Sequence, residues 1–376
     1  MHILSTFVTE SYRTALVLVA MCSYLKQFVM LCDDKINLMF DMMNNGSYFM
    51  TKKHILNMSE WYSYKNSIKN RIRKGIVYFF ENLFYKAVVR FLPQKLRARD
   101  RKYHIVICSI FKNEAPFLKE FVVYHKMIGV DHFYLYNNNS TDNFQEVLGP
   151  FIEQGLVTLT EWPIKPGQIP AYKHWYENYR LDCDWCSFLD LDEFICPSFM
   201  YDLPSWLEGY SKYPVIKIDW LMFGSNGMEK HDNSRLVIEQ YTSCWNKKSN
   251  VGKLLYNCHY DIYEFNSGMM HNLQVKYGFL VIPTFNTSNN ILYRSYELVG
   301  KDQNTIQINH YYCKAYDILT EKINRGSAAY AQSWKKSSVF WFKEMNCTST
   351  DSTIFKYLLK MKLLMGNKEI LKLNEQ

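Results

Sequence analysis

The chain has 376 residues, of which 48% are hydrophobic and 16% aromatic, so it can bury a large core in one α/β domain with appendages or in two or three units. The formal net charge of +8 is spread over lysines and arginines, without an arginine-rich tract or an aromatic RNA-reading motif, which argues against nucleic acid as the partner. A mild positive excess suits an anionic membrane surface or a phosphate-bearing substrate.

The first hundred residues have apolar positions at helical spacing and many lysines and arginines, which predicts a helical region that associates with a membrane. Ala15–Cys32 is almost long enough to span a bilayer, but Lys26 and Gln27 lie inside it, and a central charge is costly there. A buried or interfacial helix is favoured, and a signal anchor is the alternative. Arg71–Arg101 has basic ends and an apolar middle, which suits either an interfacial helix or a helix packed on the next domain.

From Tyr103 the pattern changes to alternating strands and helices joined by short polar turns. This alternation is typical of right-handed parallel crossovers, and it predicts an α/β fold with a Rossmann-like, mostly parallel sheet flanked by helices. No G-x-G-x-x-G follows the first strand. The predicted strands are His104–Ser109, Asp131–Tyr136, Leu156–Glu161 and Trp185–Leu189, and the predicted helices are Phe117–Ile128, Phe144–Gln154 and Ala171–Leu181.

Beyond Pro197 the pattern is less regular. It predicts strands at Val215–Asp219, Leu236–Tyr241 and Gln307–Tyr312, and helices at Ala315–Gly326 and Ile354–Met365. We therefore divide the chain into an N-terminal helical region (1–100), a catalytic domain (101–345) and a C-terminal helical extension (346–376).

The ten cysteines form no metal-binding pattern, because the close pair Cys183 and Cys186 has no second pair at zinc-ribbon spacing. Most are interpreted as buried or free thiols of a reducing compartment. The expected location is the cytoplasm or one face of a membrane. The alternative is a signal-anchored protein of the secretory pathway.

Carboxylates follow the fourth predicted strand at once. Asp190 and Asp192 are two residues apart, so on an extended backbone they point to the same side. Two such carboxylates suit a hard divalent cation that also binds substrate phosphates, although a solvated acidic turn has the same pattern.

Polar residues also follow the other strands, and the carboxyl ends of parallel strands open onto one crevice. The sequence therefore predicts a nucleotide-phosphate site at this edge. Its candidate residues are Lys112, Asn113 and Glu114 after the first strand, Asn137 and Asp142 after the second, Gln168 and Lys173 after the third, and Asp190 and Asp192 after the fourth.

Several ordered segments resemble the GT-A glycosyltransferases of family 92 and their family 2-like bacterial relatives. The resemblance runs from about residue 103 to about residue 359. The segments that carry it are IFKNEAPFLKEFVVYHKMIGVDHFYLYNNNSTDN, WCSFLDLDEFICP, WLMFGSNGMEK, LVIEQY and INHYYCKAYDILTEKINRG.

The resemblance implies a metal-dependent, inverting hexosyltransferase that moves a sugar from a nucleotide diphosphate to an acceptor hydroxyl. The donor would be a UDP-sugar such as UDP-galactose, and the acceptor a glycan or a lipid-linked glycan. Asp190, Asp192 and the late His310 would hold Mn²⁺ or Mg²⁺ on the diphosphate. The resemblance does not cover residues 1–100, for which composition alone suggests contact with a membrane. The remaining implied donor ligands are Lys112, Asn113 and Glu114 at the nucleotide and Lys322 and Arg325 at the diphosphate.

Two features depart from that pattern. Relatives usually carry Asp where this chain has Asn137, so one charge is lost beside the nucleotide. The general base is not evident either. Glu239, in the family-like LVIEQY segment, is the first candidate and Asp232 the second, with Glu229 and Asp261 as alternatives.

These departures favour a competing hypothesis, a catalytically silent module that binds a nucleotide-sugar or a glycan. A third hypothesis is a metal-dependent nucleotide phosphatase or nucleotidyltransferase, since both reactions use paired carboxylates beside a phosphate.

Overall fold

A computed structural model describes residues 100–210, 214–249, 251–262, 264–265, 269–271, 273, 281–283, 299–300, 305–324 and 337–366. The predictions made for residues 1–99, and for Arg325, lie outside these ranges. Of the helices in the described ranges, none is both long and apolar enough to cross a membrane.

Nine strands of the described chain form one mixed sheet, and two further pairs of short strands lie outside it. The strands are β1 (Tyr103–Phe111), β2 (His132–Asn137), β3 (Val157–Glu161), β4 (Cys183–Phe188), β5 (Glu193–Pro197), β6 (Val215–Met222), β7 (Ser243–Cys244), β8 (Lys247–Lys248), β9 (Gly252–Asn257), β10 (Val281–Pro283), β11 (Val299–Gly300), β12 (Ile306–His310) and β13 (Ser349–Thr350). The spatial order in the large sheet is β3-β2-β1-β4-β9-β6-β12-β5, with β10 beside β6, and the two short pairs are β7 with β13 and β8 with β11.

Helices follow most of these strands and cover the sheet. They are α1 (Ala115–Met127), α2 (Phe144–Glu153), α3 (Gln168–Tyr179), α4 (Leu203–Leu207), α5 (Val237–Gln240), α6 (Tyr316–Asn324), α7 (Ser337–Met345) and α8 (Leu358–Gly366). A 3-10 turn at Thr353–Tyr357 leads directly into α8.

The first four strands run parallel, with β1 between β2 and β4. Alternate residues of β1 enter two cores. Ile105 and Ile107 pack in the core that includes α1 and α2, and Val106 and Cys108 pack in the core that includes α3. Burial on both faces explains why β1 reads as a continuous apolar run. The predicted α/β class, with a mostly parallel sheet flanked by helices, is confirmed.

Glycine ends the first helix for a steric reason. Gly129 has φ +102°, a left-handed conformation that L side chains rarely adopt. A Cβ atom there would lie 2.5 Å from the Pro204 side chain, so α1 also approaches α4 too closely for any larger residue.

One predicted strand is wrong: Leu236–Tyr241 contains the short helix α5. The buried Glu120 carboxylate accepts hydrogen bonds from the backbone N–H groups of Val237 and Ile238, at 2.8 and 3.1 Å. These are donors that a strand would offer to a neighbouring strand. Burial raises the pKa of Glu120 to about 7, because the two hydrogen bonds and the Lys314 charge offset only part of the desolvation.

The eight cysteines in the described ranges are all free thiols, and seven of them are buried. The expected cellular location stays a prediction, as does the division of the chain into three regions.

Candidate active site

The loops after β1, β2 and β4 leave the same edge of the sheet. Phe111, at the end of β1, is in register with Asn137 at the end of β2, and Cys108 is in register with Phe188 at the end of β4. The predicted crevice therefore lies beside three adjacent strand ends.

Hydrogen bonds join the first two loops. The Asn113 N–H donates to the Ser140 hydroxyl at 2.9 Å, and the Thr141 N–H donates to the Asn113 side-chain oxygen at 2.7 Å. The Asp142 carboxylate accepts from the N–H of Ala115 at 2.8 Å, so it satisfies a free amide in the first turn of α1. Asp142 thus orders the loop that contains Lys112, Asn113 and Glu114.

Asn137 uses both ends of its amide. Its Nδ2 donates to Glu161 Oε2 at 2.7 Å, and its Oδ1 accepts from the Ser140 N–H at 2.9 Å. A carboxylate at this position would face the Glu161 carboxylate. The Glu161 carboxylate therefore favours Asn over Asp at position 137.

We expect Asn137→Asp to lower the free energy of unfolding by about 1–3 kcal/mol at pH 8, because a donor to Glu161 becomes a second acceptor. Urea unfolding would measure the change. Adding Glu161→Gln restores a donor, so Asn137→Asp with Glu161→Gln should recover most of the loss. An equal loss in the single and double variants would show that Glu161 is not its cause.

Asp190 lies in the turn between β4 and β5, where two side chains bind its carboxylate. Gln168 Nε2 donates to Oδ1 at 3.1 Å, and the buried Lys253 ammonium donates to Oδ2 at 3.0 Å. Burial alone would raise the pKa of Asp190, but the charge and the hydrogen bond of Lys253, together with His310, lower it below its usual value. The side chain is 41% exposed, so an ionised oxygen atom remains accessible from solvent.

Lys253 also contacts Glu193, which is fully buried. Its Nζ lies 3.4 Å from Glu193 Oε2, and this oxygen accepts the Asp190 N–H at 3.0 Å. Burial raises the pKa of Glu193 well above its usual value, against the opposing charge of Lys253. Glu193 and Lys253 thus fix both the backbone and the carboxylate of Asp190.

Asp192 is buried and binds a second lysine. Its Oδ2 forms an ion pair with Lys322 of α6, and its Oδ1 lies 3.6 Å from His310 Nε2. Burial would raise the pKa of Asp192, but the charge of Lys322, and after it His310, holds the pKa well below its usual value. Asp190 and Asp192 lie in a turn and not on an extended strand, yet their charges are close enough that Asp192 opposes the ionisation of Asp190.

His310 ends β12, where its register partner is Glu193. Burial lowers the pKa of His310 to about 4, so the ring is neutral at pH 7. Three buried polar atoms here have no hydrogen-bond partner within the described ranges: His310 Nδ1, Glu193 Oε1 and Nε1 of Trp220, whose ring lies 4.5 Å from that of His310.

The side chains of this cluster are of the chemical types that bind a divalent cation. Asp190 and Asp192 offer carboxylate oxygens, and His310 offers a neutral imidazole with an unpartnered nitrogen, all of which Mn²⁺ accepts. Across the described ranges, however, no group of three or more His, Cys, Asp or Glu side chains converges as a ready metal site. A bound ion would share Asp190 with Lys253 and Asp192 with Lys322.

Other predicted residues contact groups outside this cluster. Lys173 pairs with Glu177 on an exposed face of α3, 3.8 Å away. Glu239 pairs with Lys362 at 2.7 Å and Arg235 at 3.4 Å, and Asp232 accepts from the N–H and hydroxyl of Ser234. The roles predicted for these residues, and for the rest of the site, stay predictions.

The pKa values of both candidate bases are lowered, chiefly by the hydrogen bond from Lys362 to Glu239 and by that from Ser234 to Asp232. A lower pKa makes each carboxylate a weaker proton acceptor.

Sequence reasoning missed Lys253 and Trp220, and it counted Glu193 among the polar residues after the fourth strand without giving it a role of its own. One signal was present, because Lys253 is the single charge in the apolar strand GKLLYN, and a buried charge needs a partner. Gly252 before it lies so close to β6 that a Cβ atom would clash with the carbonyl of Ile218.

Comparison with known proteins agrees with the resemblance stated above. Residues 101–260 match the sequence model of glycosyltransferase family 92. A family 92 protein of Ricinus communis is 26% identical over 247 residues, 63% of this chain and 40% of the relative, and one of Oryza sativa is 26% identical over 250 residues, 65% and 39% respectively. The chain thus spans about two fifths of the length of these relatives.

Among solved structures, a crystal structure of S. aureus TarS residues 1–349 is 11% identical, with a TM-score of 0.29 over 41% of this chain and 47% of that one. The resemblance to glycosyltransferase family 92 is confirmed by the family model and the curated relatives.

Proposed function

We propose that the chain is a metal-dependent, inverting glycosyltransferase that uses a nucleotide-diphosphate sugar, such as UDP-galactose, and a glycan or lipid-linked acceptor. One observation carries the proposal. Within the region that matches family 92, Asp190 and Asp192 lie in the turn after the parallel strand β4, each bound by a lysine. The contact that residues 1–100 would make with a membrane is part of the same proposal.

Lysines supply positive charge for an anionic donor. Lys322 and Lys343 both lie over the Tyr312 ring, with Nζ atoms 4.2 and 3.2 Å from its centroid. Burial, together with the nearby Lys322 charge, lowers the pKa of Lys343 to about 7. Near pH 7 Lys343 is thus only partly protonated, and a bound diphosphate would favour its charged form beside Lys322, with Asp192 as the nearby counter-charge.

Asp190, Asp192 and His310 are the residues that would hold Mn²⁺ or Mg²⁺. When bound, the ion would act as a Lewis acid for the negative charge that the leaving diphosphate gains. Lys253 and Glu193 would keep Asp190 in place, and the joined loops after β1 and β2 would contact the base and the ribose.

A proton must also leave the acceptor hydroxyl. Glu239 and Asp232 remain our candidates for the base, although both already accept hydrogen bonds from neighbours. That observation favours a second candidate function, a silent module that binds a nucleotide-sugar without turning it over.

A donor screen by thermal unfolding tests the proposal. We expect one nucleotide-diphosphate sugar to raise the melting temperature in Mn²⁺ more than in EDTA, with a stabilisation of about 2.7 kcal/mol at a hundred times its dissociation constant. Incubation with an acceptor panel should then release the nucleotide diphosphate and yield a product whose anomeric configuration, read by NMR, is inverted. Binding without turnover would support the silent module, and stabilisation by no nucleotide-sugar would contradict both.

A further inference from the structure

Two segments far apart in sequence expose large apolar side chains. Phe199 and Tyr201, in the loop after β5, are 80% and 70% exposed. Leu359 and Leu363, on α8, are 72% and 66% exposed. Single exposed apolar side chains are common on protein surfaces. Four large ones in two adjoining segments would instead form a patch, which often marks a binding surface.

Direct contacts show that the two segments adjoin. The Tyr357 hydroxyl donates to the Tyr201 carbonyl at 2.8 Å, and the Lys356 ammonium donates to the Met200 carbonyl at 2.9 Å. The rings of Tyr201 and Tyr357 are 6.2 Å apart. We call the joint surface the apolar face and define it as Phe199, Tyr201, Phe355, Leu359 and Leu363.

The helix does not need its outer leucines for its own packing. Met361 of α8 is fully buried, and Ile354 and Tyr357 of the preceding turn are buried with it in the main core. Leu359 and Leu363 are four residues apart, so they lie on one side of α8, and Phe355, in the preceding 3-10 turn, lies four residues before Leu359. The segment is therefore apolar on an inner side and again on an outer side.

Basic residues border the apolar face. Residues 353–366 contain Lys356, Lys360 and Lys362 and no acidic residue. Lys362 is half exposed and pairs with Glu239, and Lys360 is exposed. Apolar side chains flanked by lysines are typical of surfaces that lie in the interface of an anionic bilayer, where the side chains enter the headgroup region and the ammonium groups meet phosphate or carboxylate groups.

We propose that the apolar face docks on an anionic membrane surface, with Phe199, Tyr201, Leu359 and Leu363 among the lipid headgroups. Lys360, which is exposed, contacts the anionic lipids, whereas the Lys356 ammonium is bound to the carbonyls of Pro197, Ser198 and Met200. The proposal does not rest on the catalytic function, because none of these residues belongs to the Asp190–Asp192 cluster.

Vesicle sedimentation with the full chain tests the proposal. We expect binding to vesicles of phosphatidylcholine with phosphatidylserine, much weaker binding to phosphatidylcholine alone, and loss of binding as salt is added. Leu359→Ser with Leu363→Ser should weaken binding to the anionic vesicles by about tenfold or more, because two leucines no longer enter the bilayer. Leu181→Ser is the matched control, since Leu181 is 57% exposed elsewhere on the surface, and it should bind as the wild type does.

Phe199→Asp provides a second variant outside the helix, and circular dichroism with the melting temperature verifies that each variant folds. Wild-type binding by both apolar-face variants would overturn the proposal, as would a wild-type chain that ignores anionic vesicles. Light scattering without lipid tests whether a second copy of the chain binds the apolar face instead. A dimer that the leucine variant dissociates would assign the face to a second copy and would also overturn it.

Discussion

Asp192→Asn is expected to lower the rate of sugar transfer by about a hundredfold to a thousandfold, the range seen when one preorganised electrostatic contact to a developing charge is removed. Asp192 is buried between Lys322 and His310, and its pKa lies well below the usual value, so it is ionised in the folded chain. Asparagine keeps the shape and removes the charge. Initial rates in Mn²⁺, with donor and acceptor varied, would measure the loss.

Loss of stability is the competing explanation if the Asp192→Asn variant is inactive. Removing one partner of a buried ion pair costs about 3–5 kcal/mol of folding free energy, because the other charge stays buried. Asp190→Asn separates the two effects, since Asp190 is 41% exposed and solvent can compensate for its change. Asp182, which is partly exposed and lies outside the cluster, is the matched control, and Asp182→Asn should keep wild-type rates.

The Mn²⁺ concentration needed for half-maximal rate tests directly whether these carboxylates hold the ion. If Asp190 and Asp192 hold the ion, both Asn variants should need far more Mn²⁺ for half-maximal rate, and EDTA should abolish transfer by the wild type. A folded Asp192→Asn variant whose turnover still depends on Mn²⁺ as in the wild type would remove Asp192 from this role.

The convergence of the strand ends was predictable because it follows from local patterns. Apolar runs ended by polar turns indicated parallel strands, and parallel strands place the loop with Asn113 beside the loop with Asn137. The Asp-x-Asp of Asp190 and Asp192 was a local signal of the same kind. The residue types at the centre of the site could therefore be read from sequence.

The partners of those residues could not, because they come from distant segments. Lys253 is 63 positions from Asp190, and β9, which carries it, lies antiparallel beside β4, a pairing that no local pattern specifies. The helix at Val237 was missed for the same reason, since Glu120, 117 positions away, binds its amide. At Val237 a long-range hydrogen bond overrides the local preference for a strand. At Lys253 a long-range ion pair stabilises a charge that the apolar strand alone does not explain.

Lys253→Met is expected to destabilise the fold by about 3–5 kcal/mol at pH 8, the range for a buried charge that loses its partner. Lys253 is fully buried between Asp190 and Glu193, at 3.0 and 3.4 Å. Methionine fills similar space but leaves Glu193 without its cation. Urea unfolding followed by circular dichroism would measure the change, and Lys173→Met, which removes only an exposed ion pair, should change stability by less than about 1 kcal/mol.

The effect should depend on pH, and its sign follows from Glu193. Burial raises the pKa of Glu193 in the folded chain well above its usual value, so folding takes up a proton when the pH lies between the unfolded and folded pKa values. Stability is then highest below the unfolded pKa and falls as the pH rises toward the folded one. Without the opposing charge of Lys253 the folded pKa rises further, so Lys253→Met should lose less stability at pH 5 than at pH 8.

Glu193→Gln identifies the source of that loss. Lys253→Met combined with Glu193→Gln has no buried carboxylate at position 193, so it should be more stable at pH 8 than Lys253→Met alone and should lose most of the added pH dependence. If the double variant is as unstable as the single one at pH 8, the Glu193 charge is not what Lys253 balances. The partly exposed Asp190 would then be the partner that fixes the lysine, and the positioning role would belong to the Lys253–Asp190 pair alone.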